Sequence, residues 1–361
     1  MTFMWKAILQ KLCGLDENKT LTLGSPKKIL VVRQHNQLGD MLANVSLFRA
    51  LKVSFPGASI TLIAGVDNFI AITDNRYIDR CFVYNKKKLF NPFYFFKLIS
   101  MLRSGYDLAI VPVTVSVSFT SNFIARISDA KSRLGVSSLS GKKNDYDFLF
   151  DRRVDMDWRK YPDANVSDFC LDILRPFGIS TQDFSSEITI SAAALETADK
   201  FISDIKKEEN SLLIGLHVGA GKPPNRWPLD SYIELIKLLQ KEYKAVFFLT
   251  GSSADSEEIN YAISHCEFNL PVFMNRSIPE VAALISKADL FITNDTGIMH
   301  VAGATHTSQI SIFGPTNPFN WAPIGKNKEI CRRSEFISDV TVGDVYEKCK
   351  KLISESNISK R

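Results

Sequence analysis

Two short apolar runs near the C-terminal end of the chain, residues 290–293 and 310–313, constrain the fold more than any other feature. Each has the length of a buried strand, and the small and apolar residues between them have the spacing of a helix. Asp295 or Thr296 is a natural N-cap for that helix. The stretch is therefore predicted to form a strand–helix–strand unit of a parallel sheet.

The polar corner that precedes this helix is a candidate ligand site. Parallel sheets bind ligands outside the carboxyl ends of their strands, and a helix start offers N–H groups and partial positive charge to a phosphate. The candidate residues are Asp295, Thr296, Gly297 and His300. The alternative is that Asp295 and Thr296 only cap the helix, with His300 satisfied in its wall.

The start of the chain shows the same alternation. A strand at 28–33 is followed by a polar loop, by apolar residues at helical spacing over 42–51, and by a second strand at 59–64. The loop lacks G-x-G-x-x-G, so the dinucleotide fingerprint is absent. Asp40 stands where the loop meets the helix, either as an acidic first-turn residue favoured by the helix dipole or as a functional carboxylate.

A third strand–loop–helix unit lies at mid-chain. The strand 212–217 leads into the loop 218–228, whose glycines and basic residues before a helix are typical of an anion-holding loop. The strand that follows ends in a second polar corner. The candidate ligand-binding residues of these two corners are Gly219, Ala220, Lys222, Arg226, Gly251 and Ser252.

The length of 361 residues suggests two domains at about 150 residues each. We expect an N-terminal Rossmann-like domain over 1–190 and a second over 191–339. The final amphipathic helix, 340–356, is expected to pack back on the first domain.

Composition narrows the class of protein. The net charge of +5 and the pI near 8.7 suit an anionic ligand or membrane surface, and we expect no nucleic-acid partner. The six cysteines form no C-x-x-C pair, which favours reduced thiols in a cytosolic protein over a disulfide framework or a zinc site. No metal-ligand spacing occurs among the histidines. No apolar run reaches the 18 residues that suggest a membrane-spanning helix.

Two segments could contact a membrane surface. Trp5, Ile8, Leu9 and Leu12 share one helical face, which we expect to pack on the protein, with a membrane surface as the alternative. Residues 86–103 are both basic and aromatic. We expect an amphipathic helix with a solvated basic face, and the alternative is a platform for anionic lipid or a phosphorylated glycolipid.

Three segments in a set order resemble glycosyltransferase family 9, the heptosyltransferase family of lipopolysaccharide assembly. They are VVRQHNQLGDMLANVSLFRALKVSFPGASITLI, IGLHVGAGKPPNRWPLDSYIELIKLL and FITNDTGIMHVAGATHTSQISIFGPTNP, and the resemblance covers roughly residues 28–325. It implies a GT-B fold, in which two Rossmann-like domains face each other across a cleft. It also implies an inverting, metal-independent transfer without a cofactor, from a nucleotide sugar, typically ADP-heptose, to a glycolipid or oligosaccharide at the cytoplasmic face of the inner membrane.

The resemblance assigns roles to the candidate residues. Asp40, in the LGD segment, matches the family's proposed catalytic base, which would take the proton of the acceptor hydroxyl. The loop at Gly219 and Ala220 and the corner at 295–297 match the donor site, with His300. Backbone N–H groups of these loops, with Arg226 and Lys222, would hold the leaving diphosphate. The acceptor-side candidates are His35, Asn36 and Gln37.

One position departs from the family pattern. The family usually carries lysine two residues before the tryptophan of its K-R-W-P segment, and this chain has Asn225 there, followed by Arg226. The departure favours, as an alternative, a transferase that uses another nucleotide sugar in polysaccharide assembly. A non-catalytic nucleotide-sugar binding protein is the alternative from another class.

Overall fold

The computed structural model describes residues 3–35, 37–208 and 210–359. The chain divides into two compact units, Met1–Phe184 and Ser185–Arg361. The predicted domain boundary, between residues 190 and 191, lies a few residues beyond this division. No helix within the described ranges is both long and apolar enough to cross a membrane.

The first unit contains a seven-stranded sheet, counted over the described residues, in the order β3-β2-β1-β4-β5-β6, with β7 also paired to β5. All pairs are parallel except β5–β6. Its strands are β1 (Lys28–Arg33), β2 (Ser59–Gly65), β3 (Arg80–Tyr84), β4 (Leu108–Ile110), β5 (Ser132–Leu139), β6 (Lys142–Lys143) and β7 (Arg152–Met156). Its helices are α1 (Phe3–Cys13), α2 (Leu38–Ala43), α3 (Val45–Ser54), α4 (Pro92–Leu102), α5 (Phe119–Ile127) and α6 (Val166–Phe169).

The central strand β1 is buried on both faces, as expected for a strand inside a parallel sheet. Leu30 and Val32 join the apolar core that α4 and α5 cover. The alternate residues Ile29 and Val31 are equally buried and point to the opposite face. The run of apolar residues in KILVVR therefore determines a central position in the sheet.

The predicted single helix over 42–51 is in fact two helices, α2 and α3. They are separated at Asn44, whose side-chain amide donates to the carbonyl of Asp40 at 2.6 Å. This side-chain bond competes with the backbone bonding of a continuous helix. The short first helix carries Asp40.

The second unit contains a six-stranded sheet within the described residues, parallel throughout, in the order β10-β9-β8-β11-β12-β13. This is the doubly wound order of a nucleotide-binding fold. Its strands are β8 (Leu212–His217), β9 (Ala245–Gly251), β10 (Val272–Met274), β11 (Leu290–Asn294), β12 (Ser308–Ile312) and β13 (Lys328–Cys331). Its helices are α7 (Ala192–Ile205), α8 (Leu229–Glu242), α9 (Ser256–His265), α10 (Ile278–Lys287), α11 (Gly297–Gly303), α12 (Pro318–Trp321) and α13 (Val342–Ser359).

The last helix, α13, is anchored in the second unit. Val345, Cys349, Leu352 and Ile353 are buried in the core that β8, β11 and β12 share with α8. The described part of the helix thus belongs to the second hydrophobic core. Its packing against the first domain stays a prediction.

The two units use the same device at the amino edge of their sheets. Asp107, just before β4, accepts the backbone N–H groups of Lys27 and Lys28 at 2.8 and 3.1 Å. Asp289, just before β11, accepts the N–H of Leu213 at 2.9 Å. In each unit a carboxylate joins the central strand to its neighbour, at the edge opposite the candidate site.

Candidate active site

Asp40 follows the carboxyl end of β1, on the first turn of α2. Its Oδ1 accepts a hydrogen bond from Thr114 Oγ1 at 2.9 Å and lies 3.5 Å from Arg33 Nη2. Arg33 Nη2 in turn donates to Thr114 Oγ1 at 2.7 Å. The three side chains form a closed triangle, in which the arginine and the threonine are almost completely buried.

The other carboxylate oxygen of Asp40 is held less tightly. Its Oδ2 accepts the backbone N–H of Gln37 at 3.4 Å, the weak half of a capping box. The side chain of Asp40 is 13% exposed, against 3% for Arg33. The capping interpretation is therefore correct in part, but it occupies one oxygen only weakly and leaves Asp40 within reach of solvent.

Burial lowers the pKa of Arg33 from its ordinary value, and the nearby carboxylate of Asp40 works in the opposite direction. Arginine remains charged even when buried, because its ordinary pKa exceeds 12. The guanidinium is thus a permanent positive charge that lies 3.5 Å from Asp40 Oδ1.

The acceptor-side candidates lie in the loop between β1 and α2. The ring Nε2 of His35 is 3.0 Å from Ser116 Oγ, in the segment after β4. Gln37 is exposed and is the N-cap residue of α2. Asn36 lies outside the described residues. The structure thus brings His35 next to the segment that contains Thr114.

A pocket of about 390 Å³ lies beside this segment. Trp158 forms part of its wall and donates its indole N–H to the carbonyl of Thr114 at 2.7 Å. Thr114 therefore bonds to the catalytic candidate through its side chain and to the pocket wall through its backbone. The lining residues are Val115, Ser116, Val117, Phe119, Leu139, Ser140, Lys142, Lys143, Asn144, Asp145, Tyr146 and Trp158.

The pocket combines aromatic surface with positive charge. Tyr146 and Phe119 contact each other with ring centroids 4.6 Å apart, and Trp158 stacks on Phe169. The one carboxylate of the lining, Asp145, is paired with Lys6 at 2.6 Å, which lowers its pKa. The ammonium groups of Lys142 and Lys143 are exposed. Such a pocket suits a sugar that carries negative charge.

In the second unit, Thr296 is the N-cap of α11, because its Oγ1 accepts the N–H of Ile298 at 3.1 Å. Asp295 has a different partner. Its Oδ2 accepts a hydrogen bond at 3.0 Å from the side-chain amide of Asn225, which also donates to the carbonyl of Asp295 at 3.3 Å. Asn225 therefore holds the carboxylate of Asp295 with a neutral group. His300 lies half-buried on α11, and Gly297 is exposed.

Asn294 joins this corner to the loop 218–228. Its side-chain amide donates to the carbonyls of Val218 and Gly219 at 2.9 and 3.2 Å. Its oxygen accepts the N–H of Trp227 at 3.1 Å and the hydroxyl of Tyr232 at 3.0 Å. One fully buried amide thus uses both its donor and acceptor groups to fix the loop.

The loop 218–228 differs from a helix start. The helix that follows Gly219 and Ala220 begins only at Leu229, after a short 3-10 turn at Pro223–Asn225. The expected helix N–H groups therefore do not follow these residues directly. Gly219 is needed at its position, because a Cβ atom there would lie 2.1 Å from Asp255 Oδ1.

The two cations proposed for the diphosphate have different surroundings. Arg226 is paired with Glu258 of α9 and donates its Nε–H to the carbonyl of Ala220 at 2.8 Å, so much of its charge is already balanced by these partners. Lys222 is exposed and makes no ion pair with any residue that the structure describes. Of the two, Lys222 is the better placed to receive an anion.

Gly251 and Ser252 lie at the end of β9. A Cβ atom at Gly251 would lie 2.3 Å from Ile259 Cδ1, so the glycine allows α9 to pack closely. Ser252 caps the next turn and shares a capping box with Asp255. These contacts explain both residues structurally, and their contact with a donor stays a prediction.

Sequence reasoning missed three residues of these two sites. Asn294 opens the NDTG segment, which was a usable signal. Arg33 is a charged residue that directly follows four apolar residues of a strand, which was a second usable signal. Thr114 carried no signal, because only the pairing of β4 with β1 brings it to Asp40. Within the described residues, no group of three or more His, Cys, Asp or Glu side chains is arranged to hold a metal ion.

The model of glycosyltransferase family 9 (heptosyltransferase) matches residues 95–349, well over half of the chain. The chain belongs to glycosyltransferase family 9. It is therefore a glycosyltransferase of the heptosyltransferase family, as the three sequence segments predicted.

Three similar proteins align with most of this chain, one by sequence and two by structure. Lipooligosaccharide heptosyltransferase 2 of Haemophilus influenzae is 28% identical over 316 residues, which cover 82% of this chain and 86% of that protein. The glycosyltransferase family 9 structure from Veillonella parvula has a TM-score of 0.79 at 19% identity, and it covers 95% of this chain and 99% of its own. The E. coli ADP-heptose LPS heptosyltransferase II has a TM-score of 0.74 at 21% identity, with 91% and 99% covered. The predicted GT-B fold class, with two Rossmann-like α/β domains, is confirmed.

Proposed function

We propose that this chain transfers a heptose from ADP-heptose to an anionic sugar of a lipopolysaccharide-core acceptor, with inversion at the anomeric carbon. The observation that carries the proposal is the bonding of Thr114, which joins Asp40 to the wall of a cationic, aromatic pocket. A general base must lie within hydrogen-bond reach of the proton that it takes. Thr114 places Asp40 close to the pocket, and all of these residues belong to the first unit.

The proposed reaction is a single displacement. The acceptor hydroxyl oxygen forms a bond to the anomeric carbon, and its proton passes to Asp40 Oδ2. The bond between the anomeric carbon and the β-phosphate oxygen breaks, and its electron pair leaves with the nucleoside diphosphate. Arg33 and Thr114 hold Oδ1 throughout, so that the less restrained oxygen of Asp40 accepts the proton.

The donor is assigned to the second unit. The loop at Gly219 and Ala220 and the corner at Asp295 are fixed to each other by Asn294, which gives a rigid set of backbone groups around them. Lys222 would stabilise the leaving diphosphate, and no metal ion is needed in this proposal. The relatives support an ADP-linked heptose, because the similar E. coli protein is described as an ADP-heptose enzyme.

The acceptor is assigned to the pocket of the first unit. Trp158 and Tyr146 offer apolar surface to a sugar ring, and Lys142 and Lys143 offer charge to its carboxylate or phosphate. His35 contacts the lining of this pocket at Ser116, whose Oγ lies 3.0 Å from the ring Nε2. A glycolipid acceptor and a nucleotide sugar would both be available at the cytoplasmic side of the inner membrane, where we propose the enzyme acts.

The experiment is a screen of ADP-, UDP- and GDP-linked sugars, read by thermal shift and then by release of the nucleoside diphosphate with an acceptor present. A donor at 100 times its Kd should stabilise the fold by about 2.7 kcal/mol. We expect ADP-heptose to bind and to be turned over. NMR of the product should show the inverted anomeric configuration, and EDTA should leave the rate unchanged. Binding of ADP-heptose without transfer to any lipopolysaccharide-core acceptor would contradict the proposal.

A second donor is the one competing candidate that an observation favours. Asn225 has a neutral amide at the position where the family pattern has a lysine. The next residue, Arg226, is already paired with Glu258. A lower positive charge at the diphosphate would suit a donor held mainly through its base and sugar. Tighter binding and faster turnover with a UDP- or GDP-sugar in the same screen would establish that candidate.

A further inference from the structure

Two helices of the first unit expose apolar side chains that a folded protein normally buries. On α4 and the turn before it, Phe90 is 95% and Phe93 80% exposed, and the neighbouring Phe95 and Phe96 are also exposed. Only Leu98 and Leu102 of this helix are fully buried. The exposed face is therefore aromatic as well as basic, whereas the expectation named only a solvated basic face.

The first helix, α1, shows the same feature. Trp5 is 59% and Leu12 75% exposed, and Ile8 between them is exposed as well. Leu9 instead is half-buried and faces the protein with Cys13. The apolar stripe that was expected to pack on the protein thus points mostly to solvent.

Both segments are basic and contain no acid. Residues 86–106 contain five lysine or arginine residues and neither aspartate nor glutamate, and residues 1–15 contain two lysines and no acid. Lys86, Lys87 and Lys88 form an exposed turn directly before the phenylalanines, with no ion pair to any described side chain. Exposed aromatic rings beside unopposed lysines match the interface of an anionic bilayer, where rings enter the headgroup region and ammonium groups contact phosphates.

The two segments lie at the same edge of the first sheet. The start of α4 lies at the carboxyl edge, because β3 ends at Tyr84 and the chain returns to the amino edge through the helix. Lys6 of α1 pairs with Asp145, which lines the same pocket as Val115 and Ser140, residues that follow the carboxyl ends of β4 and β5. The C-terminal ends of both helices lie near the end of α5. The carbonyl of Leu102 accepts the N–H of Asp129, and the carbonyl of Cys13 accepts the Nε–H of Arg126.

We propose that α1 and the segment 86–96 form one docking surface for an anionic lipid bilayer. The aromatic side chains enter the headgroup region, and Lys86, Lys87 and Lys88 contact lipid phosphates. Asp145 also lines the pocket assigned to the acceptor, so a docked enzyme would hold that pocket close to the membrane. The docking itself does not depend on that assignment.

The test uses the full chain with vesicles of phosphatidylcholine alone or mixed with phosphatidylglycerol. We expect co-sedimentation with the anionic vesicles only, and its loss at high salt. The emission of Trp5, obtained by difference from Trp5→Phe, should shift to the blue on binding. Equal binding to both vesicle types, or no shift, would overturn the proposal.

Matched variants distinguish binding through this surface from non-specific adsorption of the protein to vesicles. Phe90→Ser/Phe93→Ser/Phe96→Ser should abolish binding, and Lys86→Gln/Lys87→Gln/Lys88→Gln should weaken it about a hundredfold, at roughly fivefold for each lysine. Phe336→Ser, at an exposed phenylalanine of the second unit, should bind like the wild type.

A protein partner or a second copy of the chain is the other occupant of such a surface. Concentration-dependent dimerisation that disappears in the triple Phe variant, with no vesicle binding by the wild type, would establish that outcome and overturn ours. The triple Phe variant should keep the wild-type melting temperature and its turnover of a soluble acceptor, because the three side chains are exposed. Vesicle binding by an enzyme that transfers no heptose would leave this inference intact while contradicting the proposed function.

Discussion

Each unit places a carboxylate after a strand inside its sheet, yet the two surroundings differ. Asp40 follows β1 of the first sheet, and Asp295 follows β11, which pairs with β8 of the second sheet. Asp40 lies beside a buried guanidinium and a hydroxyl, and one of its oxygens is only weakly bonded. Asp295 is held by the neutral amide of Asn225, and the nearby Arg226 is paired with Glu258. The first arrangement places a positive charge beside a carboxylate and leaves one carboxylate oxygen weakly bonded, whereas the second holds a carboxylate with a neutral group.

The difference shows that similar strand–loop–helix geometry can serve two kinds of chemistry. A permanent charge such as Arg33 stabilises the charged form of its partner, while an amide such as that of Asn225 fixes position without changing net charge. We therefore expect substitutions in the first unit to act on the rate, and substitutions in the second to act on donor binding.

The largest effect should come from removing the proposed base. Asp40→Asn should lower kcat by 10²–10⁴-fold, the range of general-base catalysis, and leave the Kd of ADP-heptose within about twofold. Diphosphate release and calorimetry measure the two quantities. The matched control, Asp295→Asn, should instead weaken donor binding. A kcat for Asp40→Asn within tenfold of the wild type would remove it from the mechanism.

The next effect concerns the buried cation beside Asp40. Arg33→Met should lower the free energy of unfolding by about 3 kcal/mol, because a partly buried carboxylate loses its charged partner. It should also lower kcat, with little effect on the donor Kd. Urea denaturation gives the stability. Thr114→Val, which removes a hydroxyl of the same triangle and keeps the charge, should cost less, and an equal cost for both would contradict a charge-based explanation.

A third substitution sharpens the contrast in the second unit. Asn225→Lys should tighten the binding of ADP-heptose by about tenfold, since it adds a cation, and charge-assisted hydrogen bonds to phosphate are stronger than neutral ones. Titration calorimetry at two salt concentrations measures it. The gain should shrink as salt rises. Asn225→Gln serves as the neutral control, and tightening there as well would indicate a steric cause.

The smallest effect lies at the opposite edge of the sheets. Hydrogen bonds from Lys131 and the backbone lower the pKa of Asp107 to about 2. Because the pKa is lowered on folding, the contribution to stability is present above pH 4 and is lost as the pH falls from there through about 2. Asp107→Asn should remove about 1 kcal/mol at pH 7, after discounting for solvent screening, and only a small part of that at pH 2. A pH-independent difference in urea denaturation would contradict this origin.

Much of the fold was predictable because it rests on local patterns. The apolar runs at 28–33, 212–217 and 290–293 each became a buried strand, and the polar corners followed them at one edge. The GT-B fold class, the family and the enzyme class are confirmed. The break between α2 and α3 was missed, because it depends on one side chain, that of Asn44, bonding to the backbone.

The site was predictable only in part. Asp40 and the corner at 295–297 were identified by their motifs, whereas the pairing of Arg226 with Glu258 brings together residues from different elements that show no relation in the sequence. The same holds for Trp158, whose indole reaches Thr114 across the sheet. The roles of these residues in transfer stay predictions.

The sequence by itself determined two parallel α/β units and the positions of their polar loops, because the periodicity of apolar residues decides which segments are buried as strands and helices. Only the tertiary structure decided which charges are already paired and which oxygen of Asp40 is loosely held. It also decided that Trp5 of α1 and the phenylalanines of α4 point to solvent. These properties depend on distances between segments remote in sequence, which local patterns do not encode.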